Sequence, residues 1–191
     1  MVQYIESNDL IKESQHGFRR GRSCLTNLLI FLDKITRDVD EGHNVDAIYL
    51  DFAKAFDKVP HQRLLVKLRS MGIGGSLLGW IGDWLEGRRQ RVYIGGGRSG
   101  WRWVTSGVPQ GSVLGPLLFL VFINDLEEGV LNSLLKFADD TKLFGVVDNV
   151  TQHDQLQRDL CTIVEWSKTW QMEFNVDKCN ILHFGNEKSG M

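Results

Sequence analysis

Cysteine and proline are scarce in these 191 residues, three of each. Cys24, Cys161 and Cys179 are scattered and odd in number, so no disulfide framework is expected and a reducing compartment suits the chain. No Cys/His spacing of the zinc-binding kind occurs. No run of eighteen apolar residues exists, so no membrane span is expected. The N-terminus, Met1-Val2-Gln3-Tyr4-Ile5-Glu6, has neither the basic start nor the apolar core of a signal peptide. Internal repeats and low-complexity tracts are also missing. An excess of positive charge is missing too: 22 Lys and Arg face 24 Asp and Glu, a formal net charge of −2. That total argues against a chain whose whole surface grips phosphate.

Local charge departs from the total. Arg19, Arg20 and Arg22 cluster near the N-terminus. Arg88, Arg89, Arg91, Arg98 and Arg102 line a second segment, interleaved with Tyr93, Trp101 and Trp103. Basic residues among aromatics suit a surface that tracks a nucleic-acid backbone and stacks on bases. The competing expectation is a solvated hairpin whose aromatics enter the core. A hydrophobic content of 42% against 24% charged residues is that of a chain that folds around a core. Its length suffices for one core, so a single domain over residues 1–191 is expected.

Periodicity predicts a mixed architecture. Ser23 can cap a helix running to about Glu41, with Leu25, Leu28, Leu32, Ile35 and Val39 as its apolar stripe and Gly42 as its stop. Residues 45–50 read as a strand, and residues 61–71 and 76–86 as helices split by Gly72-Ile73-Gly74-Gly75. In the second of these, Leu77, Leu78, Ile81, Trp84 and Leu85 form the apolar side. Residues 89–95 and 101–105 read as a hairpin about Gly95-Gly96-Gly97. Pro116 opens an apolar helix over Leu117–Leu126. A helix over 152–170 and strands near Met172–Val176 and Asn180–Phe184 complete the chain. Antiparallel strands with helices on one face define an α+β fold.

The chemistry centres on Phe137-Ala138-Asp139-Asp140. Two adjacent carboxylates fall between the apolar runs 134–138 and 143–147, a pattern of strand, acidic turn and strand. Such a tip carries repulsion that a hard divalent cation removes through carboxylate oxygen. A third carboxylate, Asp51, ends the strand Val45-Asp46-Ala47-Ile48-Tyr49-Leu50. Three carboxylates from separate strands can hold two magnesium ions about 4 Å apart, the clamp for in-line phosphoryl transfer. Taken alone, Asp51 also reads as a strand terminator, Asp57 as a helix cap, and the Asp pair as a solvated turn.

Further blocks carry a family resemblance. Residues 50–61, LDFAKAFDKVPH, precede 106–125, SGVPQGSVLGPLLFLVFIND, and then FADDTKLF at 137–144. Trp166 to Gly185 follows, with Asn175 and Lys178. In this order the blocks resemble the reverse transcriptases of non-LTR (LINE-type) retrotransposons, in detail the chicken-repeat and jockey-like branch, over nearly the whole chain. The resemblance implies a polymerase palm with an antiparallel sheet and flanking helices, part of the fingers and no thumb. It implies an RNA-directed DNA polymerase that uses an RNA template, a DNA primer and deoxynucleoside triphosphates. It also implies missing fingers and thumb segments in a longer polyprotein, and an intracellular setting in nucleus and cytoplasm.

Roles follow residue by residue from the same resemblance. Asp51 and Asp139 are the expected direct ligands of Mg²⁺, or of Mn²⁺, and Asp140 the family's second Asp. Small Ala138 admits the primer terminus. Phe52 and Phe56 are placed at the nucleotide, Phe56 as a ring that clashes with a 2′-hydroxyl. Gln110 and Gly111 border the nucleotide, and Lys178 assists departure of pyrophosphate. Arg19 and Arg22 are within the expected reach of phosphates. Two other readings share these features. An RNA-dependent RNA polymerase has the same palm, but usually carries Gly-Asp-Asp at the hairpin and a polar group near the position of Phe56. A remnant that binds RNA without synthesis is favoured by the short ends and opposed by the complete set of site residues. The chain alone, without a thumb, is expected to extend primers poorly.

Overall fold

The computed structural model describes residues 1–185. Helices α1 (Val2–Ser7) and α2 (Cys24–Asp40) precede strand β1 (Val45–Leu50). Then come α3 (Ala55–Lys58), α4 (His61–Ser70) and α5 (Gly75–Leu85). Four two-residue strands follow, β2 (Arg89–Gln90), β3 (Tyr93–Ile94), β4 (Gly97–Arg98) and β5 (Arg102–Trp103). Helix α6 (Leu114–Ile123) runs into a 3₁₀ turn (Asn124–Glu127) and leads to β6 (Ser133–Phe137) and β7 (Asp140–Val146). Helix α7 (Val150–Trp170), a 3₁₀ turn (Val176–Lys178) and β8 (Asn180–Phe184) close the chain.

The main sheet is antiparallel throughout, in the order β6-β7-β1-β8. Side chains alternate across it, and both faces are apolar. Val45, Ala47, Leu135 and Phe144 point to one side and pack under Phe31 and Ile35 of α2. Leu50, Leu134 and Leu143 join the larger core with α4, α5, α6 and α7. Helices therefore cover both faces and not one, because the strands offer alternating apolar residues to both sides. Helix α6 lies deepest: Leu118 through Ile123 are all buried, as a helix hydrophobic all round requires.

Several expectations held in detail. Ser23 caps α2, its hydroxyl accepting from the Thr26 N–H at 3.1 Å while Thr26 Oγ1 accepts from the Ser23 N–H at 2.9 Å, a reciprocal capping box. Other expectations did not hold. Helix α2 buries Asn27, Phe31 and Ile35, while Leu25, Leu28 and Leu32 are exposed. The bulky Phe31 ring, set edge-on to Phe144 at 5.0 Å, fixes the rotation of the helix against the sheet. Residues 172–176 form no strand; Phe174 makes a single bridge to Phe52 before the 3₁₀ turn. Helix α6 begins at Leu114, with Pro116 inside its first turn, where no helical N–H is needed.

Candidate active site

Strand β1 lies between β7 and β8, so its end is fixed from both sides. Leu50 is opposite Thr141 in β7, which makes Asp51 and Asp140 the next pair along the two strands. Alternation places Tyr49, Asp51, Asp140 and Lys142 on the α2 side of the sheet. Asp51, Asp140 and Lys178 line one cavity of about 720 Å³ there, walled by Leu28 of α2 and Leu182 of β8. The Asp51 backbone carbonyl accepts from the Asn175 N–H at 2.8 Å, which sets the 3₁₀ turn that carries Lys178. Lys178 Nζ then donates to Asp51 Oδ2 at 2.9 Å. That carboxylate holds the Lys178 ammonium above the usual lysine range.

The turn between β6 and β7 consists of Ala138 and Asp139, since Phe137 pairs with Asp140. Asp140 therefore opens a strand, where the sequence suggested an Asp-Asp tip. Ala138 has φ +55°, the left-handed region that a primed two-residue turn requires. Asp139 is half-buried at the tip. Burial pushes its carboxyl up from the ordinary range, and the negative charges of Asp140 and Asp51 push the same way. Three like charges thus act on one another at the ends of two strands, with Lys178 opposing them.

Among the described residues, no three His, Cys, Asp or Glu side chains are gathered closely enough to hold a metal ion as they stand. The donor chemistry nevertheless fits a hard divalent cation. All donors are carboxylate oxygen, and the burial and like charges that raise the Asp139 carboxyl are a cost that a bound cation would relieve.

The turn is held by residues whose role was not legible in the sequence. Gln15 is buried, and its side-chain Oε1 accepts from the N–H of Ala138 at 2.9 Å and of Gly17 at 2.7 Å. Its Nε2 donates to the Ala138 carbonyl at 3.2 Å. The backbone joins in: Lys136 N donates to Ser14 O at 2.8 Å and His16 N to Lys136 O at 2.9 Å. Residues 14–17 thus form a parallel latch on the outer edge of β6. A Cβ at Gly17 would lie 2.3 Å from Ala138 N, so only glycine permits the approach. Burial lowers the pKa of His16, and Arg22, Arg19 and Lys142 lower it further. Arg19 and Arg22 are engaged within this segment, Arg19 Nη1 donating to Lys12 O at 2.9 Å and Arg22 pairing with Glu13 at 3.4 Å.

The second block is bolted to the first. Gly107 N donates to Val59 O and Val108 N to Phe56 O, both at 2.8 Å. Gly107 has φ +87°, and a Cβ there would meet Asp57 backbone atoms at 2.6–2.7 Å. Gln110 Nε2 donates to Asp57 Oδ1 at 2.8 Å, which orients the exposed amide. Gly111, at φ +76°, has open space where a Cβ would stand. Phe56 is half-buried, stacked on Phe119 of α6 at 4.2 Å, with Phe18 edge-on at 6.1 Å. Phe52 is not brought to a cavity. It is buried and stacked on Phe174 at 4.4 Å, so a side-chain contact with substrate is not what this position offers.

An antiparallel sheet that presents a strand-end carboxylate beside an acidic hairpin, with helices behind it, defines a polymerase-type palm. The comparisons agree. Over residues 1–189 the chain matches the family described as Reverse transcriptase (RNA-dependent DNA polymerase), and it belongs to that family. It is 30% identical, over 96% of its length, to a probable RNA-directed DNA polymerase from transposon X-element of Drosophila melanogaster. It is 31% identical, over 92% of its length, to the RNA-directed DNA polymerase from mobile element jockey of Drosophila funebris. The chain spans only 21% and 20% of those two proteins. Among solved structures it resembles telomerase from Candida tropicalis in complex with a fragment of telomeric RNA. That match has a TM-score of 0.70 at 14% identity and covers 99% of this chain and 33% of the other. At that identity the likeness is one of fold.

Proposed function

We propose that this chain is the nucleotidyl-transfer palm, with part of the fingers, of an RNA-directed DNA polymerase from a non-LTR retrotransposon acting inside the cell. It adds deoxynucleotides to a DNA primer on an RNA template. The observation that carries this is the placement of Asp51 and Asp140 as successive partners across β1 and β7, with Asp139 and Lys178 at their side. Asp51, Asp139 and Asp140 would hold Mg²⁺ or Mn²⁺, and Lys178, which now engages Asp51, yields to the cation there. The bound metal supplies charge neutralisation at the phosphoryl oxygens and lowers the pKa of the attacking hydroxyl.

The remaining work falls to the chain's own groups. Ala138 is buried with its methyl toward Gly17, so its part is to keep the turn compact and not to touch the primer terminus itself. Phe56 is held by Phe119 and Phe18 and forms a rigid wall against a 2′-hydroxyl, selecting by exclusion. Asp57 orients Gln110, which borders the sugar, and Gly111 offers backbone that a nucleotide can approach. Lys178 donates a hydrogen bond to the departing pyrophosphate once it leaves Asp51. An RNA polymerase reading is opposed by Phe56, because a stacked aromatic wall offers no hydrogen bond to a ribose hydroxyl.

The test is primer extension on RNA by an active polymerase that carries this domain. Asp139→Asn is expected to remove extension without lowering thermal stability, because the half-buried carboxylate it replaces is disfavoured by burial and by the charges of Asp140 and Asp51. Full extension by Asp139→Asn would refute the assignment.

A further inference from the structure

Residues 88–105 form a two-part ribbon that stands away from the core. β2 pairs with β5 at its base and β3 with β4 at its tip, about the turn Gly95-Gly96. The segment holds five arginines and no Asp, Glu or Lys. Its aromatics do not enter the core: Tyr93 is 61% exposed, Trp101 55% and Trp103 65%. Two exposed tryptophans side by side, rimmed by arginine, have the pattern of an interaction site.

The charges and rings are arranged together. Arg89 lies over Trp103 at 5.1 Å and Trp101 at 5.7 Å, Arg91 over Trp101 at 4.5 Å, and Arg98 over Tyr93 at 5.6 Å. Arginines beside exposed rings put phosphate-binding N–H groups next to surfaces on which a base can stack. The absence of carboxylates along the ribbon makes its surface complementary to a polyanion and repels nothing in one. Flat rings fit an unpaired base, whose faces are open, and not a duplex, whose bases are stacked away.

The base of the ribbon leads to the site. Arg88 is fixed, donating from Nε to Leu85 O at 2.9 Å and from Nη2 to Gly107 O at 2.7 Å. A groove of about 540 Å³ then runs from Arg89 and Gln90 to Asp57 and Gln110. We propose that the 88–105 ribbon is a sequence-tolerant binding site for single-stranded RNA, the unpaired template that leads toward the Gln110 wall. Arg89, Arg91, Arg98 and Arg102 take phosphates. Trp101, Trp103 and Tyr93 stack on bases. Naming the strand as template rests on the polymerase reading; the ability to bind a single strand does not.

The test is equilibrium binding, followed by fluorescence anisotropy, of residues 1–191 to labelled RNA–DNA hybrids. One hybrid is blunt, one carries a single-stranded RNA overhang, and one a DNA overhang of equal length. Wild type is expected to bind the RNA overhang at least about tenfold more tightly than the blunt hybrid. The double variant Trp101→Ala/Trp103→Ala should lose about tenfold or more in affinity for it with the salt dependence unchanged, since each stacked base contributes about that factor. Replacing Arg89, Arg91, Arg98 and Arg102 by Gln should lower the slope of log K against log salt by about 3, at about 0.7 per phosphate contact on a single strand. Neither variant should change binding of the blunt hybrid, and both should melt as wild type does, because the replaced side chains are exposed. Equal losses on the blunt hybrid, or no loss on any, overturn the proposal. A preference for the DNA overhang overturns the assignment to template. Failure of the polymerase reading shows separately, as absent extension by a full-length polymerase carrying this domain while residues 1–191 keep the overhang preference.

Discussion

Gly17→Ala is the sharpest test of how the catalytic hairpin is held. The added Cβ would sit 2.3 Å from Ala138 N and 2.9 Å from its Cα. Ordinary contact requires about 3.5 Å, so the turn or the latch must retreat by about 1 Å. Both neighbours are backbone, so no flexible side chain absorbs the shift. Overpacking of this kind costs about 1–3 kcal/mol. The strain falls on the Gln15 bonds to Ala138, each contributing about 1 kcal/mol net. A displacement of 1 Å at a reacting centre lowers a rate by about 100-fold, or about 2.7 kcal/mol of barrier. We therefore expect Gly17→Ala to reduce single-nucleotide extension by about two orders of magnitude with nucleotide affinity nearly unchanged. Urea unfolding should show a loss of at most about 3 kcal/mol. Amide exchange at Lys136 and Ala138 should accelerate, a readout that needs no activity. Wild-type exchange together with a wild-type rate would show that residues 14–17 merely lie beside the hairpin.

Phe56→Ala is expected to raise ribonucleotide incorporation relative to deoxynucleotide use by about tenfold or more, equivalent to about 1.4 kcal/mol; equal losses for both nucleotides would make Phe56 a packing residue. Lys67 is buried at 5% side-chain exposure, with Nζ 3.7 Å from the Trp170 ring centre, and burial lowers its pKa from 10.5 to about 8. Between those values the unfolded chain binds the extra proton, so stability rises with pH from about 8 to about 10.5, by up to about 3 kcal/mol relative to Lys67→Met. Urea unfolding across that window checks it, and parallel curves for the two proteins would refute it. Replacing Gln15 by Ala leaves the N–H of Ala138 and of Gly17 unpaired in a buried place, and a loss of about 2–4 kcal/mol is expected by thermal unfolding; a loss below 0.5 kcal/mol, within the surface range, contradicts the latch.

What the sequence disclosed depended on how local the determining physics is. Strand β1 was legible to the residue because a mainly apolar run, Val45 to Leu50, ends at one carboxylate. The start of α2 was legible because Ser23, a good capping residue, stands just before a run of apolar residues at helical spacing. The rotation of α2 was not, since leucines recur at helical spacing on the exposed side, and only the fit of Phe31 against Phe144 decides which side is buried. The carboxylates could be named from their motifs, but the turn frame needed the register that pairs Phe137 with Asp140. Phe52 sits beside Asp51 in the chain yet points into the core, as alternation along an extended segment dictates. Gln15 was invisible as a support of the hairpin because Ala138 lies 123 residues away.

That separation also sets an order of events in time. A ribosome adds about 5–20 residues per second, so the Gln15 latch waits roughly 6–25 s after synthesis for Ala138 to appear. During that interval residues 14–17 have no strand edge to meet, and β1 has neither of its neighbours. Local helices such as α2 and α4 form within microseconds, whereas pairing across such distances is slow. The hairpin and its latch therefore close only after residue 140 has been made, and until then Asp51 stands at the end of β1 without Asp139 and Asp140 beside it.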